Sequence, residues 1–381
     1  MSLRVNRVYK YRLYPTKAQE GALERQLELC RRLYNKALWW REREYKRDKT
    51  SVTRKEQVHA LVDLKQWAPE YAEISRGILE DVVNRVDLAF KAFFRRCKQP
   101  GEAPGYPRPK GSGWYKSFTI TRSREFKVEH EEGAKYGWLS FKSFSNIRVR
   151  MHRPLPEGAN VRRAMIKREA NGHWYVMFGW DIEADVYQRE GDGIGLDVGL
   201  SDFITTDRGE KIAPPRNYKR LQRKLRRKQR ILSRRKRGSN RRKRARAEVA
   251  KVHAKIRNRR LDFLHNVSRK VVDSHAVIAL EKLKISNMSK NPHLPGSILD
   301  AGWGEFASML AYKAESAGGQ VVLVDPKNTS QICSGCGGLP PQKKLSERTH
   351  RCGDCGLVLD RDHNAAINIL NRAVQAQRGV T

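Results

Sequence analysis

The alternation of apolar and polar positions divides the chain into segments of different kinds. In RVNRVYKYRLY, residues 4–14, Val5, Tyr9, Tyr11 and Leu13 fall on one face and Lys10 and Arg12 on the other, which predicts a half-buried strand. Pro15-Thr16 ends it, and Thr16 followed by Gln19 has the form of a capping box that opens a helix. Leu23, Leu27, Cys30, Tyr34 and Leu38 then recur at helical spacing. A second helix is predicted over 54–66 and a third over 75–98. The third carries Ile78, Leu79, Val82, Val83, Val86, Phe90, Phe93 and Phe94 on a broad apolar face suited to a helical bundle. The Pro- and Gly-rich run 99–113 is a connector. Six short β-like runs follow, at 116–122, 126–129, 137–141, 146–151, 161–169 and 173–181, with turn signals such as Asn171-Gly172 between them. They predict a small β-barrel or sandwich that includes the N-terminal strand, with the helices inserted.

At Gly191 the pattern changes to mixed α/β. Ile194–Leu200 is an apolar strand carrying one acid, Asp197, and 202–206 and 210–212 read as its antiparallel partners. Two long helices cover 216–260 and beyond, with a break near Gly238-Ser239. Ala276–Leu280 is a buried strand ending in Glu281. Residues 287–300 form a polar loop, 302–317 a helix and 320–324 a further strand. Asp362 opens a last helix whose Ala366, Ile367, Ile369 and Leu370 suit packing on a sheet.

Charge adds a partner to this picture. The 381 residues carry a formal net charge of +37, with a pI near 10.3. That balance points to a polyanion, with nucleic acid as the first choice and a membrane surface as the competitor. No apolar run of 18 residues and no signal pattern occurs, so the protein is expected neither to span a membrane nor to be secreted, and to be cytoplasmic. Residues 216–260 hold 23 Lys or Arg against a single acid, Glu248. A merely solvated helix face would mix signs. Lys219, Arg220, Arg223, Lys224, Arg226, Arg227, Arg230, Arg234, Arg235, Arg241 and Arg242 are therefore candidate phosphate contacts.

Three acids stand out by position: Asp197, Glu281 and Asp362. Singly, each has an ordinary reading, as a turn cap, a solvent-facing strand end and a helix N-cap respectively. Together they lie on three sequence-distant elements of one α/β segment. Converging, they would hold two divalent cations for phosphodiester hydrolysis, with Mg²⁺ suited to such oxygen ligands and Mn²⁺ a substitute. No Gly-x-x-x-x-Gly-Lys-Ser/Thr loop is present, so ATP hydrolysis is not indicated. His363 reads as a helix-surface residue, and Asn364 and Asn368 as bridges from the helix to the sheet.

Six cysteines complete the inventory. Cys30 and Cys97 read as small core or boundary residues. Cys333, Cys336, Cys352 and Cys355 form C-x₂-C-x₁₅-C-x₂-C, the spacing of a four-thiolate structural Zn²⁺ site, with Gly337, Gly353 and Gly356 following the pairs.

These features resemble the TnpB family of transposon-encoded, RNA-guided DNA endonucleases, relatives of the compact type V CRISPR effectors. The resemblance runs through Tyr11-Arg12-Leu13-Tyr14-Pro15-Thr16, Gly105-Tyr106-Pro107-Arg108, Gly195-Leu196-Asp197-Val198-Gly199, Leu280-Glu281-Lys282-Leu283, Trp303-Gly304-Glu305-Phe306, Thr329-Ser330-Gln331-Ile332-Cys333 and Asp360-Arg361-Asp362-His363-Asn364-Ala365-Ala366. It implies an α+β multidomain protein. Residues 1–16 and 99–190 would form a β-barrel wedge domain and 17–98 an inserted helical recognition lobe. Residues 191–330 and 358–381 would form a RuvC-like nuclease of the RNase H-like fold, interrupted by a zinc ribbon at 331–357. The family's catalytic trio maps onto Asp197, Glu281 and Asp362, the last chosen over Asp360 because it stands two residues before Asn364. The implied partners are a guide RNA from the protein's own element and double-stranded target DNA carrying a short flanking motif. One nuclease centre would cut both strands and leave 5′-phosphates. The alternatives are a compact type V CRISPR effector, a nuclease-inactive RNA-guided repressor, and a transposase proper, whose Asp–Asp–Glu order fits less well.

Overall fold

The computed structural model describes residues 2–101, 103–155, 160–185, 189–215, 217–283, 301–339 and 347–378. They fall into two compact units, Ser2–Ala184 and Asp185–Thr381.

In the first unit, strand β1 (Ser2–Tyr14) is followed by helix α1 (Lys17–Asp48). The Thr16–Gln19 capping box forms: the Gln19 N–H donates to the Thr16 hydroxyl at 3.2 Å, and the Thr16 N–H donates to the Gln19 side chain at 3.0 Å. The second predicted helix is broken at Ala60 into α2 (Arg54–His59) and α3 (Leu61–Trp67), and α4 spans Arg76–Cys97. Strands β2 (Ser117–Ile120), β3 (Phe126–Glu129), β4 (Tyr136–Phe141), β5 (Phe144–Arg150), β6 (Asn160–Arg168) and β7 (Trp174–Asp185) join β1 in one seven-stranded sheet, ordered β2-β6-β7-β1-β5-β4-β3. The sheet curls, so that Phe126 of β3 stacks on Phe178 of β7 with ring centroids 6.2 Å apart. The end strands β2 and β3 are not paired with each other among the described residues. Alternation along β7 buries Trp174, Val176, Phe178 and Trp180 completely or nearly so. These side chains and the apolar faces of α1 and α4 form a single continuous core. Cys30 is buried in it, whereas Cys97 is exposed rather than a core residue.

The second unit is built on a five-stranded sheet of order β10-β9-β8-β11-β12. Strand β8 spans Gly193–Asp197, β9 Ile204–Thr206, β10 Lys211–Ile212, β11 Val277–Glu281 and β12 Gln320–Val324. β8, β11 and β12 run parallel, and β9 and β10 return antiparallel on the β8 side. Helix α5 (Asn217–Ser233) and helix α6 (Asn240–Ser274) pack on each other through Leu225, Val252 and Ile256. Helix α7 (Trp303–Ser316) packs with α6, burying Trp303, Phe306 and Leu310. The polar loop expected at 287–300 lies outside the described residues. A two-stranded hairpin, β13 (Thr349–Arg351) and β14 (Val358–Asp360), leads into helix α8 (Arg361–Arg378). Helix α8 lies against β8, β11, β9 and β12. Its approach to β8 is so close that a Cβ at Gly195 would collide with the Ala366 carbonyl and crowd Leu370. Among the described residues, no helix is long and apolar enough to cross a membrane.

Candidate functional site and metal centre

Parallel pairing sets the first two acids side by side. Leu280 of β11 is in register with Leu196 of β8, so the next residues along, Glu281 and Asp197, end neighbouring strands. They project on the same face, because side chains alternate with period two. Helix α8 brings Asp362 to the same edge, near its N-terminus, where the helix dipole favours a carboxylate. Asp197 feels the charges of the other two. Burial and then the charges of Glu281 and Asp362 push the Asp197 carboxyl up to about 7, against the opposing Arg361 guanidinium. Burial also raises Glu281, while the Thr329 hydroxyl, which donates to its carboxylate, and Arg372 pull it down. Asp362 faces Arg361 at 3.5 Å and Arg348 at 3.7 Å.

Among the described residues only the four cysteines each bring a ligand atom within 4.8 Å of all the others. The carboxylates are spread more widely. The donor set is oxygen only, which fits Mg²⁺.

The N-cap role that Asp362 could have filled belongs to Asp360. Its Oδ1 accepts the backbone N–H groups of Asp362 at 3.0 Å and His363 at 3.2 Å. Its other oxygen takes the Lys211 ammonium at 2.8 Å. Burial raises the Asp360 carboxyl, but Lys211 and those N–H groups outweigh it and hold the group below the usual carboxylate range. His363 is not a free surface residue: its Nε2 lies 2.9 Å from the Asp207 carbonyl. Lys211 and Thr329 were missed by sequence reasoning. Lys211 carries no pattern of its own, and Thr329 stands out only within the Thr329–Cys333 motif.

The four thiols cluster as their spacing predicts. Cys333 and Cys355 are 3.6 Å apart at sulfur, as are Cys336 and Cys352. Tetrahedral Zn²⁺ with bonds of about 2.3 Å needs sulfurs about 3.8 Å apart, so the residues fit that ion. The two halves repeat one backbone design. The N–H of Cys333 donates to the Gly338 carbonyl and the N–H of Gly337 to the Cys333 carbonyl; Cys352, Leu357 and Gly356 repeat these bonds. Gly337 and Gly356 take φ of 76° and 71°, which favours glycine at both turns. Against the cost of burial, the N–H groups of Cys336 and Gly335 and the buried His350 pull the Cys333 thiol down, while, against the N–H groups of Gly338 and Leu357, the neighbouring sulfurs push Cys336 and Cys355 up, so without a cation the four share their protons unevenly.

The basic candidates divide. Arg220, Arg223, Lys224, Arg226, Arg227 and Arg230 on α5, Arg234 and Arg235 in the connecting turn, and Arg241 on α6 are all exposed. Arg242 is half-buried and one of its guanidinium nitrogens is engaged within the chain. It donates to the carbonyls of Leu232 at 3.0 Å and Arg235 at 2.7 Å, closing the helical hairpin. The Lys219 side chain lies outside what the structure describes.

The sequence matches three family models. One described as "Probable transposase" covers residues 183–292, a Cas12f1-like TNB domain covers 303–369, and a helix-turn-helix domain covers 1–50. Within 1–50 the structure has one strand and a single 32-residue helix rather than two helices and a turn. A Streptomyces pristinaespiralis protein, "Putative RNA-guided DNA endonuclease", is 34% identical over 99% of this chain and 91% of its own. The Escherichia coli protein "Putative RNA-guided DNA endonuclease InsQ" is 29% identical over 95% of this chain and 91% of its own. In fold the chain is similar to Cas12f1 in a cryo-EM complex with sgRNA and target DNA. The TM-score is 0.57 at 13% identity, covering 97% of this chain and 99% of the other. With full-length identity at this level, the chain belongs to the TnpB family of transposon-associated RNA-guided DNA endonucleases.

Proposed function

We propose that this protein cleaves double-stranded DNA through a single RuvC-like centre in which Asp197, Glu281 and Asp362 hold two divalent cations. The observation that carries this reading is that Asp197 on β8 feels the charges of both Glu281 on β11 and Asp362 on α8. Three carboxylates gathered at one edge of the sheet, one kept from ionising freely, are a poor structural device and a good cation site. Bound there, Mg²⁺ (or Mn²⁺) would supply hydroxide and stabilise the leaving oxygen. The chain's own residues orient the ligands. Thr329 holds the Glu281 carboxylate, and Asp360 fixes the first turn of α8 beneath Asp362. The Cys333–Cys355 cluster binds one structural Zn²⁺ in a ribbon ahead of α8. The curled sheet acts as the wedge, the inserted helices as the recognition lobe, and the exposed arginines of α5 and α6 hold nucleic-acid phosphates.

In this reading a guide RNA from the protein's own element pairs with one DNA strand, and protein side chains read a short flanking motif. Purifying the protein and sequencing the RNA that accompanies it tests the first half. Challenging that complex with a randomised flanking library in Mg²⁺ tests the second. Absence of a specific RNA, or cutting without preference for any flanking sequence, would overturn the reading. A guide transcribed from a repeat array would favour the CRISPR-effector alternative.

A further inference from the structure

The outward face of the curled sheet carries a file of alternating rings and cations across four strands. The Arg148 guanidinium lies over both Tyr136 and Tyr14, 5.0 and 5.5 Å from their centroids. Arg12 lies over both Tyr14 and Tyr175, at 5.3 and 5.2 Å, and Lys10 over Tyr175 at 4.0 Å. Strand register explains the file. Tyr14, Arg148 and Trp138 are cross-strand partners in one row, and Arg12, Arg150 and Tyr136 in the next. Trp138 closes the row with 43% of its surface open to solvent. Tyr14, Trp138, Arg148 and Arg12 also line one broad cleft at the N-terminus of α1.

A ladder of this kind could simply stiffen the sheet. Two features argue otherwise. Arg12 and Arg150 stand directly opposite each other, a like-charge pairing that destabilises a sheet unless an anion lies over it. The acids bordering the file leave its middle open: Glu169 neutralises Lys10 at one end and Glu129, beside Trp138, pairs with Lys127 at the other, while neither Arg148 nor Arg150 has an ion pair among the described residues. Glu20, in the cleft wall, accepts from Trp174. What remains is an exposed indole face beside the Arg148 guanidinium, which Tyr14 and Tyr136 already hold in place, so little of that side chain's freedom is lost when a ligand docks.

We infer that this face is a platform for unpaired nucleotides, with a base stacked on Trp138 and phosphates on Arg148 and Arg150. Exposed rings on a four-stranded sheet can stack two or three bases only where those bases are unpaired, so duplexes are excluded by shape. The inference rests on the nucleic-acid-binding part of the proposed function and is independent of the carboxylate centre.

The test uses full-length Asp197→Ala protein, stripped of nucleic acid at high salt and unable to degrade the probes. Binding of oligouridylate, oligodeoxythymidylate and a duplex, each of about ten nucleotides, is followed by fluorescence anisotropy. Trp138→Ala should weaken single-strand binding about 5- to 150-fold, the effect of losing one stacked base. Trp138→Phe, which keeps an aromatic face, should restore most of it. Arg148→Gln should lower the salt slope by about 0.7. Duplex binding should not change. Preference for the ribose probe assigns the platform to an RNA segment, preference for the deoxyribose probe to a displaced DNA strand, and equal affinity to the chemistry they share. Unchanged single-strand binding in both Trp138→Ala and Arg148→Gln, or a parallel loss of duplex binding, overturns the inference while leaving the nuclease reading intact. A parent protein that binds none of the probes overturns both.

Discussion

Asn364 on helix α8 accepts the backbone N–H of Ser334, the residue after the first zinc-ligand candidate, at 2.9 Å. Its amide nitrogen donates to the Ile332 carbonyl at 2.8 Å. One turn on, Asn368 donates to the carbonyls of Thr329 and Ile332, at 2.9 and 2.8 Å. Both asparagines are buried. The segment they clamp begins with Thr329, whose hydroxyl holds Glu281. Two side chains thus tie the cysteine cluster, the helix bearing Asp362 and the partner of Glu281 into one network.

Breaking that clamp should be costly. Asn364→Ala leaves the Ser334 N–H without its acceptor, and the expected loss is about 1–3 kcal/mol. Asn364→Asp should be at least as damaging, because a carboxylate cannot donate to Ile332. Thermal unfolding and zinc content of the two variants check this: both should fall together.

Removal of zinc should act through the same network. Chelation is expected to loosen residues 329–334 and so lower DNA cutting more than guide-RNA binding. Parallel measurement of the two activities before and after chelation decides it. Intact cutting with lost RNA binding would contradict the assignment of roles.

The Asp197 carboxyl predicts a pH dependence of stability. An unfolded Asp titrates near 3.9, whereas the folded group is pushed up to about 7. Between those values the folded state binds more protons than the unfolded one. This group's contribution therefore falls as pH rises from about 4 to 7 and stays low above. Asp197→Asn removes the penalty. In chelator, the variant should gain stability over the parent by on the order of 2–4 kcal/mol at pH 8 and by less than about 1 kcal/mol at pH 4. Denaturant unfolding at the two pH values reads the difference.

Gly195 tests the packing that delivers the third acid. A methyl group there meets the Ala366 carbonyl and the Leu370 backbone on α8, neither of which can yield without moving the helix. Gly195→Ala should cost more than about 2 kcal/mol and suppress cutting even though all three acids remain. Gly193→Ala crowds the tip of Leu370 and meets Val277 at ordinary contact distance, and should be milder. Urea unfolding of both variants gives the comparison.

Much of this was readable in the residues. The Thr16–Gln19 box, the period-two faces of β1 and β7, and the cysteine spacing are local signals, and each carries its structural meaning within about twenty positions. Asp360 shows where local reading stops. Its own pattern does not distinguish a cap from a ligand, and only its bonds to the Asp362 and His363 N–H groups make it the cap. Arg242 looks in sequence like its basic neighbours but is used to close the hairpin. The break at Ala60 carries no glycine or proline to announce it. Lys211 meets Asp360 across 149 positions, a pairing that sheet topology creates and sequence periodicity cannot express.

The central claim is that Asp197, Glu281 and Asp362 form one metal-dependent nuclease centre. The most direct measurement is cleavage of a matched double-stranded target by RNA-loaded protein in Mg²⁺, comparing the parent with Asp197→Ala. The account predicts that the variant keeps its RNA and binds the target, but cuts neither strand. Cutting of either strand by the variant would contradict it.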